Sequence, residues 1–195
     1  MTSPQAPVLH LLVGPNGSGK TTFARRVILT GAGQSLPFVN ADEIAKQRWP
    51  GEEEAHAYDA ARAAAAERDS MIASRRSFVA ETVFSHESKL ELVSAARAAG
   101  FVVWLYVMVV PEDLAVERVG YRVGEGGHSV PEQKIRERYR RLWPLVVVAA
   151  GIADWAVFYD TTRPRLLPIA ELEHGRTGEA PQWPAWAPAV LRSIQ

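Results

Sequence analysis

Apolar and polar positions along this chain change their period several times, and each change marks a different element. Val8-Leu9-His10-Leu11-Leu12-Val13 is an apolar run that Gly14 stops, so it reads as a short strand buried on both faces. Helical spacing follows, with Phe23, Ala24, Val27 and Ile28 recurring between Thr21 and Leu29 until Gly31-Ala32-Gly33 ends the segment. Leu36 to Asn40 reads as a second strand, leading through Ala41-Asp42 into a helical stretch that Pro50-Gly51 breaks. The alanine-rich run from Glu52 to Arg76 has strong intrinsic helix propensity and is expected to form one long helix. Ser77 to Phe84 then reads as a strand, Ser85 to Ala99 as a helix closed by Gly100, and Phe101 to Val110 as the most apolar strand of the chain. Pro111 opens a helix to about Tyr121, Val123 to Val130 reads as a glycine-containing flexible loop, and Pro131 opens another helix. Trp155 to Tyr159 is a last core strand and Leu166 to Ile169 an edge strand.

Strands alternating with helices imply an α/β fold, a mainly parallel sheet with helices on both faces. The length of 195 residues and a hydrophobic content of 47% are enough for one sizeable core. A single compact domain over residues 1–176 is expected. Residues 177–195, with Pro181, Trp183, Pro184, Trp186 and Pro188, form a Pro/Trp-rich tail that reads as an arm packed on the body. Lys+Arg and Asp+Glu are both 22, so no global basic field points to nucleic acid. With no cysteine there is no disulfide framework, thiolate metal site or cysteine nucleophile, which fits a reducing compartment. The polar start lacks the regions of a signal peptide and no apolar run is long enough to cross a bilayer; a cytoplasmic location is expected.

The chemistry concentrates between the first strand and the first helix. Gly14-Pro15-Asn16-Gly17-Ser18-Gly19-Lys20-Thr21 fits the Walker A phosphate loop, followed by Thr22 in the helix. Gly14, Gly17 and Gly19 let consecutive backbone N–H groups curl around a phosphate, and the helix N-terminus favours an anion. Lys20 is expected on the β- and γ-phosphates and the Thr21 hydroxyl on Mg²⁺. ATP is the expected nucleotide, because no Asn-Lys-x-Asp base-reading motif for GTP is present. These features specify a three-layer P-loop NTPase fold.

Beyond the loop, four stretches in order carry a family resemblance: the Walker A loop, Asn40-Ala41-Asp42, Ser77 through Glu81-Thr82 to Ser85, and Arg122 through Gly126-Gly127-His128 to Arg138-Tyr139. The chain resembles the zeta-toxin family of P-loop kinases and their kinase or ATPase relatives. The resemblance implies a small-molecule kinase that phosphorylates a hydroxyl of a UDP-activated amino sugar, with a strand-end aspartate as base. It departs from those relatives at Val83 and Ser85-His86, where they continue with Thr and Ser-Gly. Asp42 matches the aspartate, and a carboxylate at the end of a second strand can face the phosphates across the crevice above the sheet. The bland reading of Asp42 is a helix N-cap. Glu81 and Thr82 match the family's acidic motif; a carboxylate in a buried strand should face a ligand, Mg²⁺ or an arginine, or form a structural ion pair. Arg118, Arg122, Arg136, Arg138, Arg140 and Arg141 flank the glycine loop as an arginine-rich lid does, and by motif position Arg122 and Arg138 are the catalytic arginines. His128 reads either as a phosphate contact or as an ordinary loop histidine. No Walker B aspartate is evident: Asp113 reads as part of a first helical turn, and Asp160-Thr161-Thr162 as an adenine-side loop or a plain Asx turn.

Two functions of different class follow. One is an ATP-dependent phosphotransferase acting on an unidentified small-molecule acceptor. The other is a nucleotide-dependent ATPase switch or toxin-like regulator working through a protein partner, such as an antitoxin. A nucleic-acid enzyme is disfavoured by the net charge of +0, and no membrane association is expected.

Overall fold

The computed structural model describes residues 6–124, 130–163 and 165–195, without the side chains of residues 122–124. Seven strands form one sheet in the order β2-β3-β1-β4-β5-β6-β7. The first five are β1 (Val8–Val13), β2 (Phe38–Asn40), β3 (Phe78–Thr82), β4 (Val102–Val109) and β5 (Trp155–Asp160), and all are parallel to their neighbours. β6 (Leu167–Glu173) and β7 (Arg176–Thr177) then run antiparallel. The edge strand expected at Leu166 to Ile169 is thus longer, and β7 covers its outer side. His174 and Gly175, both at positive φ, make the turn between them.

Strand alternation divides the sheet into two faces. Leu9, Leu11, Val13, Val103, Leu105 and Val107 point to one, where they meet α2 (Ala41–Arg48), α3 (Ala57–Ala73), α4 (Ser88–Ala98) and α6 (Glu132–Ile152). Leu12, Val79, Tyr106 and Met108 point to the other, against Phe23, Ala24 and Ile28 of α1 (Lys20–Phe23) and the π-helical turn Ala24–Ile28 that continues it. α5 (Glu112–Gly124) follows β4, with Ala115 and Val119 buried. The long helix expected from Glu52 starts later, at Ala57, because residues 51–56 turn before it.

The helices after β1 and β3 therefore leave on opposite faces of adjacent strands. In open parallel sheets that divergence leaves a crevice at the carboxyl ends of the strands. The last residues pack on the α6 face: Trp183 meets Phe158 edge-on at 5.3 Å, Leu191 and Ile194 are buried, and the Gln182 N–H donates to the Ile169 carbonyl at 3.0 Å. Among the described residues no helix is long and apolar enough to cross a membrane.

Candidate functional site

The crevice is built first by the loop between β1 and α1. Gly14 has φ 149°, and a side chain there would put its Cβ 2.6 Å from the Met108 carbonyl of β4. Gly17 has φ 76°, and its Cβ would lie 2.5 Å from the Ala115 carbonyl of α5. Only glycine fits where two other elements press this closely on the backbone. Pro15 is buried beside Gly14, and Gly19 caps α1. The Asn16 Oδ1 and Ser18 Oγ atoms are buried without a hydrogen-bond partner among the described residues. Of the two, Asn16 lines the crevice; buried polar atoms are ordinarily paired, so its oxygen fits a polar ligand that completes it. Lys20, only 7% exposed, donates from Nζ to the Pro15 carbonyl at 2.9 Å and lies 4.0 Å from Glu81.

Glu81 joins three chain segments at one carboxylate. β3 lies between β1 and β2, so Glu81 is in register with both Leu12 and Asn40. The Thr21 hydroxyl donates to the carboxylate, lying 3.0 and 2.9 Å from its two oxygens, and Asn40 Nδ2 donates at 2.8 Å. Burial pushes the Glu81 carboxyl above its ordinary value, and the Asp42 charge adds to the rise. The nearby Lys20 charge and the hydrogen bonds from Thr21 and Asn40 oppose it only in part. Thr82 follows, its Oγ1 accepting from the Phe84 N–H at 3.4 Å.

Asp42 lines the crevice without capping a helix. Asn40 Oδ1 accepts from the Asp42 N–H at 2.8 Å and the Glu43 N–H at 3.4 Å, so Asn40 is the N-cap of α2. The capping alternative considered for Asp42 is therefore corrected: β2 passes directly into α2 and the cap falls two residues earlier. The Asp42 side chain is exposed, with no hydrogen bond or ion pair among the described residues.

The arginines separate by their partners. Arg138, half-buried on α6, lines the same crevice. Arg118 also reaches it, with Nη2 donating to the Thr161 and Thr162 carbonyls at 2.9 and 3.2 Å. Arg136 instead is engaged by Asp113 and Glu132, each at 2.8 Å, and by Glu112 at 3.5 Å. Asp113 and Glu132 hold its guanidinium well above the ordinary arginine value, as a surface tie between α5 and α6. Arg122 lies on α5, but its side chain is outside the described residues, as are Gly126, Gly127 and His128. Asp160 makes the Asx turn, its Oδ1 accepting from the Thr162 N–H at 2.8 Å.

Together these elements enclose a cavity of about 610 Å³, within the span of small-molecule sites. Asn16, Gly17, Gly19, Lys20, Thr21, Thr22, Asp42, Glu81, Thr82 and Arg138 all face it. Sequence reading missed Asn40, which organises both the cap and Glu81, and Arg68 and Lys89, which line the same cavity. A signal for Arg68 did exist: Ala57, Ala61, Ala64 and Arg68 share one face of α3, three small residues and then a charge.

Comparison with curated proteins finds no match. Among solved structures, the PezAT chromosomal toxin–antitoxin system of Streptococcus pneumoniae aligns at 14% identity with a TM-score of 0.63, over 87% of this chain and 73% of that one. Shikimate kinase from Acinetobacter baumannii in complex with shikimate aligns at 21% identity and 0.54, over 80% and 85%. AvrRxo1-ORF1:-ORF2 with ATP aligns at 18% identity and 0.57, over 90% of this chain and 61% of that one. These likenesses establish a kinase-like P-loop fold. A family model described as AAA domain matches residues 9–145, from β1 into α6, and covers the phosphate loop, Asp42, Glu81 and Arg138; the chain belongs to that AAA domain family (AAA_33).

Proposed function

We propose that this protein is an ATP-dependent phosphotransferase acting on a hydroxyl of a small molecule. The observation that carries the reading is one cavity lined by both the phosphate loop and the unpartnered Asp42 carboxylate. A P-loop that only binds or hydrolyses nucleotide has no need of a second, open half with its own carboxylate and cations.

In this reading residues 14–22 hold ATP, whose γ-phosphoryl group is what the bound nucleotide supplies. The unpaired Asn16 oxygen and the glycine backbone fit such a ligand. Lys20 neutralises charge on the donor phosphates, its ammonium already placed between the Pro15 carbonyl and Glu81. Among the described residues no cluster of three acidic or histidine side chains could hold a metal unaided. Mg²⁺ would rest on the Thr21 hydroxyl and the nucleotide, with Glu81 orienting that hydroxyl. Asp42 accepts the proton of the acceptor hydroxyl at its carboxylate, Glu81 and Thr82 contact substrate, and Arg138, with Arg122, stabilises charge on the transferring group. Residues 1–176 form the catalytic unit and 177–195 its arm.

Supporting the reading, shikimate kinase is a kinase captured with shikimate, and the AvrRxo1 complex holds ATP. The toxin–antitoxin neighbour and the zeta-toxin resemblance favour a cytoplasmic enzyme, put UDP-N-acetyl amino sugars first among acceptors, and make an antitoxin-like chain a candidate partner. The test is transfer of labelled phosphate from Mg-ATP to a panel of nucleotide sugars, nucleosides and small sugars and acids. Wild type should label one class of acceptor. Asp42→Asn should lower transfer by about 10²–10⁴-fold while still binding ATP, and Lys20→Ala should lose ATP binding. Hydrolysis with no labelled acceptor would favour the partner-directed ATPase switch.

A further inference from the structure

Arg68 stands out among the described residues. It is only 5% exposed, yet its guanidinium has no hydrogen bond or ion pair there. Glu67 and Asp69 attract it through space, but neither bonds it. A guanidinium carries five N–H donors and stays charged, so burying it without a partner is costly. Such a group is retained where something else completes it.

The surroundings say where that completion comes from. Arg68 ends the α3 face that begins with Ala57 and Ala61, both exposed, and continues through Ala64, which is buried. The whole face, Arg68 included, lines the cavity, with small side chains over the three positions before the arginine. Lys89, in the first turn of α4, lines the cavity too; burial and then the Arg68 charge hold its ammonium below the ordinary lysine value, with Asp69 opposing them in part. Two like charges that repel and share a wall lower each other's cost when an anion sits between them. Beside them His86 accepts from the Ser88 N–H through Nδ1 at 3.2 Å, which leaves Nε2 as the donor of the neutral ring. α3 packs against α2, the helix that carries Asp42.

We propose that Arg68 and Lys89 form an oxyanion subsite, which takes a phosphate or carboxylate group of the molecule whose hydroxyl Asp42 deprotonates. This rests on the phosphotransferase reading and narrows its acceptor to anionic molecules. The donor phosphates have their own loop and Lys20, so the second set of cations belongs with the acceptor. Arg68 supplies directed N–H donors and Lys89 a mobile charge, as a terminal oxyanion requires. Both are specificity residues, acting on acceptor binding more than on the chemical step.

The test begins with the full chain saturated with Mg²⁺ and a nonhydrolysable ATP analogue, so that the phosphate loop is occupied. Inorganic phosphate and malonate are titrated separately by calorimetry at constant ionic strength, which distinguishes the two anion types. One of them should bind wild type at a single site. Arg68→Met and Lys89→Gln should each weaken that binding at least tenfold, Arg68→Lys should restore part of it, and analogue affinity should stay within twofold. Removing a buried charge that has no bonded partner among the described residues should also leave the Arg68→Met melting temperature equal to or above wild type. If neither anion binds wild type, or Arg68→Met binds it equally well, the subsite does not exist. A melting temperature lowered in Arg68→Met, with anion binding intact in Lys89→Gln, would assign Arg68 to packing and overturn the proposal. Acceptor pairs that differ only in an anionic group separate the two readings. Transfer to the charged member, with KM raised at least tenfold in Arg68→Met and kcat held, supports both. Equal transfer to the neutral member defeats the subsite and leaves the kinase standing; no transfer to any acceptor defeats the kinase, while the titration still decides the subsite.

Discussion

Two buried charges at different places in the sheet are treated in opposite ways. Asp154, just before β5 and 6% exposed, is completed from several sides. Its Oδ1 accepts from Arg97 of α4, its Oδ2 accepts from the Val103 N–H at 2.8 Å, and His174 stands 3.7 Å away. That closes the amino-terminal end of the sheet, where α4, β4 and β5 meet. Over the carboxyl ends of β1 to β3, Glu81 is hydrogen-bonded yet held above its ordinary pKa, Asn16 and Ser18 keep unpaired oxygens, and Arg68 on the cavity wall has no bonded partner among the described residues. The first arrangement spends its polar groups on stability. The second leaves them in reserve, as a site that must bind polar molecules has to do.

The contrast breaks most visibly at Asp154. Asp154→Ala strips the buried Val103 N–H of its acceptor and Arg97 of its partner, and should destabilise the fold by about 2–3 kcal/mol in urea unfolding, whether or not nucleotide is present. Asn40→Ala removes the α2 cap and one donor to Glu81. About 1 kcal/mol should be lost from the cap, with a larger fractional loss in ATP affinity than Asp154→Ala causes. Equal effects on ATP affinity from both would erase the distinction between the two ends.

The smallest stability change, and the one of opposite sign, is expected at Glu81. Its folded pKa lies above the unfolded value, so its contribution to stability is full below the unfolded pKa and is lost as pH rises through the folded one. Glu81→Gln should therefore melt at or slightly above wild type at neutral pH, the gap opening as pH rises from acid, while phosphoryl transfer falls. Parallel wild-type and Glu81→Gln melting curves across that range would show that the carboxylate is not held at a cost.

Local pattern was enough wherever neighbours in sequence determine the outcome. The five parallel strands, the phosphate loop and the helix after Pro131 were legible because periodicity and backbone freedom are properties of short segments. Asp42 was legible as a strand-end carboxylate, but its relation to the cap was not, since Asn40 and Asp42 compete for that role within one turn. The reach of β6 past Ile169 also escaped, because an antiparallel extension depends on β5 offering its edge.

What the sequence determined by itself was a phosphate loop in a parallel α/β scaffold, since glycine spacing and strand–helix alternation are written locally. Only the tertiary structure decided which charges are spent and which are held open. Thr21, Asn40 and Glu81 meet across separations of 60 and 41 residues because β3 inserts between β1 and β2. Arg136 and Arg68 are both helix arginines beside acidic residues in the sequence, yet one is tied down by three carboxylates and the other faces a cavity. The reason is physical: a charge's partner is set by what packs opposite it, and no property of its own segment carries that information.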